Sequence, residues 1–215
     1  MKKIFSVLVS LLLIATVFGQ RANQVNTRVQ TLPLTRTYAT FNPSSLATLR
    51  MTISNGNLTA THTAGGDGSS RSTLAITGTT AIYIEFTIGQ ATGITAIGIT
   101  QEGSELFDLP GRNSIEWSYR NDGQKMTGGT ASAYGASYTA GDTISLLLDL
   151  SAGTLVFYKN GTTQGTAFSS LSGTFWIKVG GDDTGSPQQE MTANFGASSF
   201  AYSVPGGYLS GLYIN

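Results

Sequence analysis

The sequence predicts an all-β fold: a bent sandwich of two antiparallel sheets, with little or no helix. Three observations carry this reading. Residues 141–161, GDTISLLLDLSAGTLVFYKNG, spell out two strands and their turns. About eleven or twelve short apolar or β-branched runs are separated by turn signals roughly every 8–12 residues, the spacing of a two-sheet sandwich. No segment carries an amphipathic 3.6-residue period over three turns.

The elements come in order. From about Thr40 the β-pattern begins. Leu49, Met51 and Ile53 alternate, Asn55-Gly56 turns the chain, and Leu58, Ala60 and His62 alternate back as a hairpin. Ala64 to Ser70, AGGDGSS, reads as a flexible loop, and Leu74 and Ile76 mark a short strand. Ala81 to Ile88, AIYIEFTI, places Ile82, Ile84 and Phe86 on one side of a strong strand. Ala96 to Thr100 is another strand. Gln101 to Asn113 is a long loop that holds Glu102, Glu105 and Asp108. Ser114 to Tyr119 is a strand containing Trp117, and Arg120 to Thr130 is rich in turn residues.

Thr143 to Leu150 is nearly continuous apolar sequence, as in a strand covered on both faces. Ser151-Ala152-Gly153 turns into Thr154–Lys159. Asn160-Gly161 then supplies the positive φ angles of a two-residue type I′ turn, and a third strand reaches Phe168. Strands at Phe175–Val179 and Met191–Phe195 come next, with Gly180–Pro187 as a loop between them and a last short strand at Phe200–Tyr202.

Composition limits the function classes. The chain has 215 residues, no Cys, and only 11% charged residues. Apolar residues make up 40%, enough for a core without disulfides. The formal charge is zero, and no basic patch emerges, so no nucleic-acid partner is expected.

Residues 1–19 read as a secretory signal. Lys2 and Lys3 form the positive start, Ile4–Phe18 the apolar stretch, and Val17 and Gly19 the −3 and −1 positions before Gln20. The apolar stretch is short for a membrane span, which needs about 20 residues. No membrane span is therefore expected once the signal is cleaved. Its removal leaves 10 basic and 12 acidic residues. Residues 20–37 form a polar arm or linker, 38–205 the β-sandwich and 206–215 a C-terminal tail. A bacterial protein that is periplasmic, secreted or on the cell surface fits these features.

Catalysis finds little support. The one His, His62, sits in phase with Leu58 and Ala60 as a strand position, and no G-x-S-x-G elbow accompanies it. Zinc sites draw on several N/S ligands, which one His and no Cys do not supply. Glu85 and Glu116 stand alone in their strands, without the paired carboxylates of a glycoside hydrolase. Asp149 has a turn role. Asp67, Asp122, Asp182 and Asp183 lie in Gly-rich loops without the D-x-D-x-D-G spacing of a calcium loop. Neither an enzyme, nor a metal, nor a cofactor is expected.

The quoted segments resemble the SPRY (B30.2-like) family, in its bacterial or phage form. AIYIEFTI resembles the family's early core strand, and Ala96-Ile97-Gly98-Ile99 its next strand. IEWSYRNDG (115–123) resembles its Trp-containing stretch, although Ser118 stands where Gly is usual. Gly141–Gly161 is similar to its central hairpin, Gly165–Phe168 to the segment directly after that hairpin, and Ala193-Asn194-Phe195-Gly196 to its terminal strand. The likeness covers roughly 40–205 and implies a concanavalin-like, jelly-roll sandwich that binds without catalysis. It also implies a recognition surface built from loops at one end: His62–Ser70, Gln101–Asn113, Arg120–Gly129 and Gly180–Pro187. The candidate ligand-binding residues there are His62, Asp67, Arg112, Tyr119, Arg120, Asp122, Lys125, Asp182 and Asp183. Tyr and Arg are types that dominate interface energies; Tyr119 equally suits a sheet position. The expected partner is a protein or a surface glycan. Self-assembly through the arm or through unprotected sheet edges is the structural alternative. A lectin mode would need aromatic platforms, and Trp117 and Trp176 both look internal to strands.

Overall fold

The computed structural model describes residues 35–44, 50–63, 65–182 and 189–215. The proposed signal, residues 20–34 of the arm, and Asp183 lie outside the described residues.

Sixteen strands succeed one another among the described residues: β1 (Thr37–Tyr38), β2 (Met51–Ser54), β3 (Thr59–His62), β4 (Gly68–Arg71), β5 (Ala81–Gln90), β6 (Ile94–Thr100), β7 (Glu116–Arg120) and β8 (Gln124–Thr127). Then come β9 (Thr130–Ala133), β10 (Thr143–Asp149), β11 (Thr154–Lys159), β12 (Thr162–Phe168), β13 (Trp176–Asp182), β14 (Glu190–Asn194), β15 (Leu209–Ser210) and β16 (Tyr213–Ile214). One large sheet runs β12-β11-β10-β5-β14-β3-β2, with β15 also on β5, the other runs β4-β13-β6-β7-β8-β9, and β1 and β16 form a separate two-stranded sheet. The fold is the all-β antiparallel sandwich that the patterning implies.

The core lies between these sheets. Ile82, Ile84, Phe86, Leu146, Leu148, Leu155 and Phe157 come from the larger sheet, and Ile97, Ile99, Tyr119, Ile177 and Val179 from the smaller. All are sealed from water, and each such side chain contributes roughly 1.5–3 kcal/mol by burial. The central meander has its expected turns. Asn160 and Gly161 both have positive φ, 49° and 76°, between Lys159 and Thr162, which pair. Asn160 also accepts from the Thr143 N–H at 2.8 Å, so its side chain ties the turn to β10. Asp149 Oδ1 accepts the N–H groups of Ser151 and Ala152 and the Ser151 hydroxyl.

The continuous apolar run of β10 has a physical cause. Its outer face, with that of β5, is covered by the chain after β14. Tyr83 donates to Glu85 at 2.6 Å, Glu85 accepts the Ala201 and Tyr202 N–H groups, and Phe200 meets Tyr83 edge-on.

Several expectations change in the folded chain. Gly68–Ser70, expected as part of a loop, instead belong with Arg71 to a strand paired with β13, and Ser69 and Ser70 are fully buried. It has no apolar side chain to reveal it. Ile76 makes only an isolated bridge to Phe175, and β8 and β9 occupy part of the turn-rich stretch. Phe200–Tyr202 is not a strand. Residues 206–215, expected as a tail, instead carry two short strands. β15 pairs in parallel with β5, β16 pairs with β1, and Leu212 is buried. The β12 edge is also capped: Lys125 Nζ donates to the Ala167 carbonyl at 2.7 Å and the Tyr134 hydroxyl to the Gly165 carbonyl at 2.6 Å.

Candidate recognition surface

Strand register brings three loops together. Gly68 pairs with Gly181, and Gly181 with Thr95, so the ends of β4, β13 and β6 align. The 101–113 loop leaves the opposite end of β6 and returns across the outer face of this sheet. Pro110 lies over Gly180, and the Ser118 hydroxyl donates to the Pro110 carbonyl at 2.6 Å. A Cβ on Gly180 would meet Pro110 Cδ at 2.8 Å, so this close approach needs glycine. The loop then reaches the aligned strand ends.

There Asp67, Arg112 and Asp182 meet. Arg112 Nε is 2.7 Å from Asp67 Oδ2, and its Nη2 is 3.8 Å from Asp182 Oδ2. Asp67 Oδ2 also accepts the Leu109 N–H at 3.3 Å, and Arg50 Nη1 donates to the Asp67 carbonyl at 2.9 Å. The Arg112 side chain is 46% exposed, the two carboxylates far less. Burial, together with the neighbouring Asp67, raises the Asp182 carboxyl above its usual range, while Arg112 opposes the shift. The cluster therefore presents one cation backed by two partly shielded acids.

His62 belongs beneath this cluster. It is 1% exposed, and its Nε2 donates to the Gly66 carbonyl at 2.7 Å. A carbonyl only accepts, which sets the tautomer. His62 braces the Gly66–Asp67 turn and does not face a ligand. This corrects the expectation of a ligand-binding histidine: the strand phase with Ala60 places it inside.

The remaining candidates have other partners, although Arg120 lies at the same sheet end, opposite Ala96 of β6. Tyr119 is fully buried among Tyr134, Tyr138 and Phe157, with its hydroxyl bonded to the Ala136 carbonyl. Burial raises its phenol well above the usual range, and it is a core residue. Arg120 pairs with Asp122 at 2.7 Å, and Asp122 accepts the Gln124 N–H at 3.2 Å as a turn residue. Lys125 spans to β12. It is a strut between sheets with its ammonium 5.2 Å from the Phe168 ring.

Sequence reasoning missed two features. Phe107, at 42% exposure, is an apolar side chain displayed by the 101–113 loop. Its signal was present: one aromatic within an acidic, Gly-containing loop. Lys178 and Glu116 form a fully buried ion pair at 2.6 Å under that loop. Alternation alone hid Lys178, which sits between Ile177 and Val179 in an apolar strand.

A separate hollow of about 320 Å³ lies on the larger sheet, lined by Glu85, Thr87, Thr192, Asn194 and Ser198 among others. No aromatic ring lines it, so it offers no stacking platform for a sugar. Among the described residues, no three His, Cys, Asp or Glu side chains converge as metal ligands, and no helix is long and apolar enough to cross a membrane.

The two antiparallel sheets, with the 65–67 turn and the 101–113 loop meeting at one sheet end, have the architecture of a β-sandwich domain. The sequence model of the SPRY domain matches residues 81–197, more than half of the chain, and the chain belongs to that family. SPRY domains are protein-interaction modules and are generally non-catalytic. Ran-binding protein 9 of Xenopus tropicalis is 32% identical over 114 residues, which are 52% of this chain and 20% of that protein. Ran-binding protein 10 of Danio rerio is 31% identical over 114 residues, 52% of this chain and 18% of that protein. The chain thus spans about a fifth of the curated relatives it matches. The SPRY domain of human HERC1 superposes with a TM-score of 0.59 at 22% identity, covering 71% of this chain and 96% of that one. The TRIM65 PSpry domain gives 0.59 at 19% identity, covering 74% and 92%. These structural likenesses concern the fold.

Proposed function

We propose that this chain is an exported, non-catalytic module that holds a protein ligand on the Asp67–Arg112–Asp182 end of the sandwich. The single observation that supports this most is the half-exposed Arg112, aimed by two carboxylates, one from the turn before β4 and one from the end of β13. An Arg held in a fixed pose loses little entropy on binding and offers several donors in a rigid fork. Phe107 in the same loop supplies an exposed aromatic. Aromatic and Arg side chains together are typical binding anchors. Ran binding is a property in the names of the relatives, and nothing in the loops assigns it here.

Export and a bacterial source rest on Lys2, Lys3, the apolar 4–18 stretch and the lack of Cys. The Ran-binding relatives are animal proteins. N-terminal sequencing of protein recovered from a bacterial periplasm or medium is expected to begin at Gln20; a start at Met1 opposes export.

The binding test is peptide selection. A displayed random-peptide library is panned on the chain beginning at Gln20, and enriched peptides are titrated against Arg112→Ala. The expected result is at least a tenfold loss of affinity with an unchanged melting temperature. Peptides that bind both forms equally would place recognition elsewhere.

A further inference from the structure

We propose that the buried Lys178–Glu116 pair is a latch that positions the 101–113 loop, so that two residues sealed from solvent set how Arg112 and Phe107 are displayed. The latch itself rests on geometry; its bearing on recognition rests on the function proposed for the Arg112 cluster.

Lys178 comes from β13 and Glu116 from β7, and β6 runs between them. The β6 residue beside Lys178 is Gly98, which also pairs with Ser118 of β7. The lysine chain reaches across β6 to Glu116, at a point where β6 and β7 approach so closely that position 98 has no room for a side chain. A Cβ at Gly98 would run into the Trp117 carbonyl.

The bonds around the pair go mostly to the loop. Lys178 Nζ donates to Ser104 Oγ at 2.9 Å, to the Glu105 carbonyl at 2.7 Å and to Glu116 Oε1 at 2.6 Å. All three ammonium donors are thereby used, two of them on the loop. Glu116 Oε2 accepts the Gly111 N–H at 2.8 Å, and Oε1 accepts from the Ser104 hydroxyl and from Asn113 Nδ2 at 3.4 Å. Of these bonds, only the Lys178–Glu116 contact joins strand to strand.

The energetics favour a positioning role over a stabilising one. Both side chains are 0% exposed, and burial lowers the Lys178 ammonium below its usual range while Glu116 opposes the shift. A buried ion pair costs desolvation that an apolar pair would not, and gives little net stability in exchange. It supplies instead a fixed set of directional bonds. The loop needs them, because between Gln101 and Asn113 only Leu106 and Leu109 pack against apolar clusters.

Hydrogen exchange with mass spectrometry tests the latch, in the full chain from Gln20. Lys178→Met combined with Glu116→Gln removes both charges, so neither is stranded. The expected result is wild-type exchange in β5 and β10 and at least tenfold faster exchange at 104–113. Ser104→Ala keeps the pair intact and is expected to quicken exchange at 104–106 several-fold; it decides the matter if the double variant does not fold. Unchanged loop exchange overturns the latch, as does loop exchange that rises only in step with β5 and β10. Selected peptides separate the latch from the recognition role. If the loop loosens yet peptides bind with wild-type affinity, the latch stands and the loop is not the recognition surface.

Discussion

Asp182 shows how one residue's chemistry depends on neighbours far away in the chain. Its carboxyl is raised first by burial and then by Asp67, with Arg112 acting against both. Asp182 is therefore expected to titrate above the ordinary aspartate value of about 3.9. A raised folded-state value means the folded chain holds that proton more tightly than the unfolded one. This group thus adds stability as pH falls through its folded value toward the unfolded one, and takes it away as pH rises through that window. In Asp67→Asn the titration is expected to move back down, as followed by carboxyl ¹³C shifts. A titration that stays in place would assign the whole shift to burial. A second residue-scale prediction concerns Gly161. Its φ is +76°, and a Cβ there would meet Tyr202 Cδ1 at 2.5 Å. Gly161→Ala is expected to cost about 1–3 kcal/mol through left-handed strain and the clash. That corresponds to a fall in melting temperature of roughly 2–4 °C per kcal/mol for a domain of this size.

Among elements, β12 and β4 carry opposite lessons. β12 is an uncharged edge strand, TTQGTAF, which in isolation would invite pairing with another chain. Lys125 and Tyr134 cover two of its carbonyls from the neighbouring sheet. Lys125→Ala with Tyr134→Phe is expected to expose that edge and to produce concentration-dependent association in sedimentation velocity. A variant that stays monomeric across the concentration series would mean the cap is dispensable. The sequence of β12 was readable because its turn, Asn160-Gly161, is written in residues that tolerate positive φ. β4, GSSR, was not readable. Gly and Ser carry no periodic apolar signal, and the strand is defined by its pairing with β13, where Pro110 and the Gly68 backbone approach Gly180 closely.

For the molecule as a whole, the C-terminal residues close the fold. β16 pairs with β1, Tyr213 packs on Tyr38 at 5.4 Å, and Arg36 lies 4.3 Å over the Tyr213 ring. Leu212 is buried, and its N–H donates to the Phe195 carbonyl at 2.9 Å. Truncation after Gly206 is expected to cost at least about 2 kcal/mol from the lost Leu212 burial and the aromatic pair. It should be seen as a lower urea midpoint with a folded baseline still present. A truncated chain as stable as the full one would show that this end is indeed only a tail.

Local chemistry set the strand pattern, the central meander and its turns, because alternation, β-branching and Asn-Gly act over a few residues. It also placed Asp67 and Arg112 in loops, whereas Gly180–Asp182, expected as loop, form the end of β13. Only the tertiary structure decided that Asp67, Arg112 and Asp182 meet, that Tyr119 faces inward, and that Lys178 reaches across β6 to Glu116, whereas the phase of His62 with Ala60 already pointed it inward. Each of those outcomes depends on which strands become neighbours. Residues 67 and 182 or 116 and 178 are brought near one another through sheet order and register, and these are fixed by packing the whole core at once.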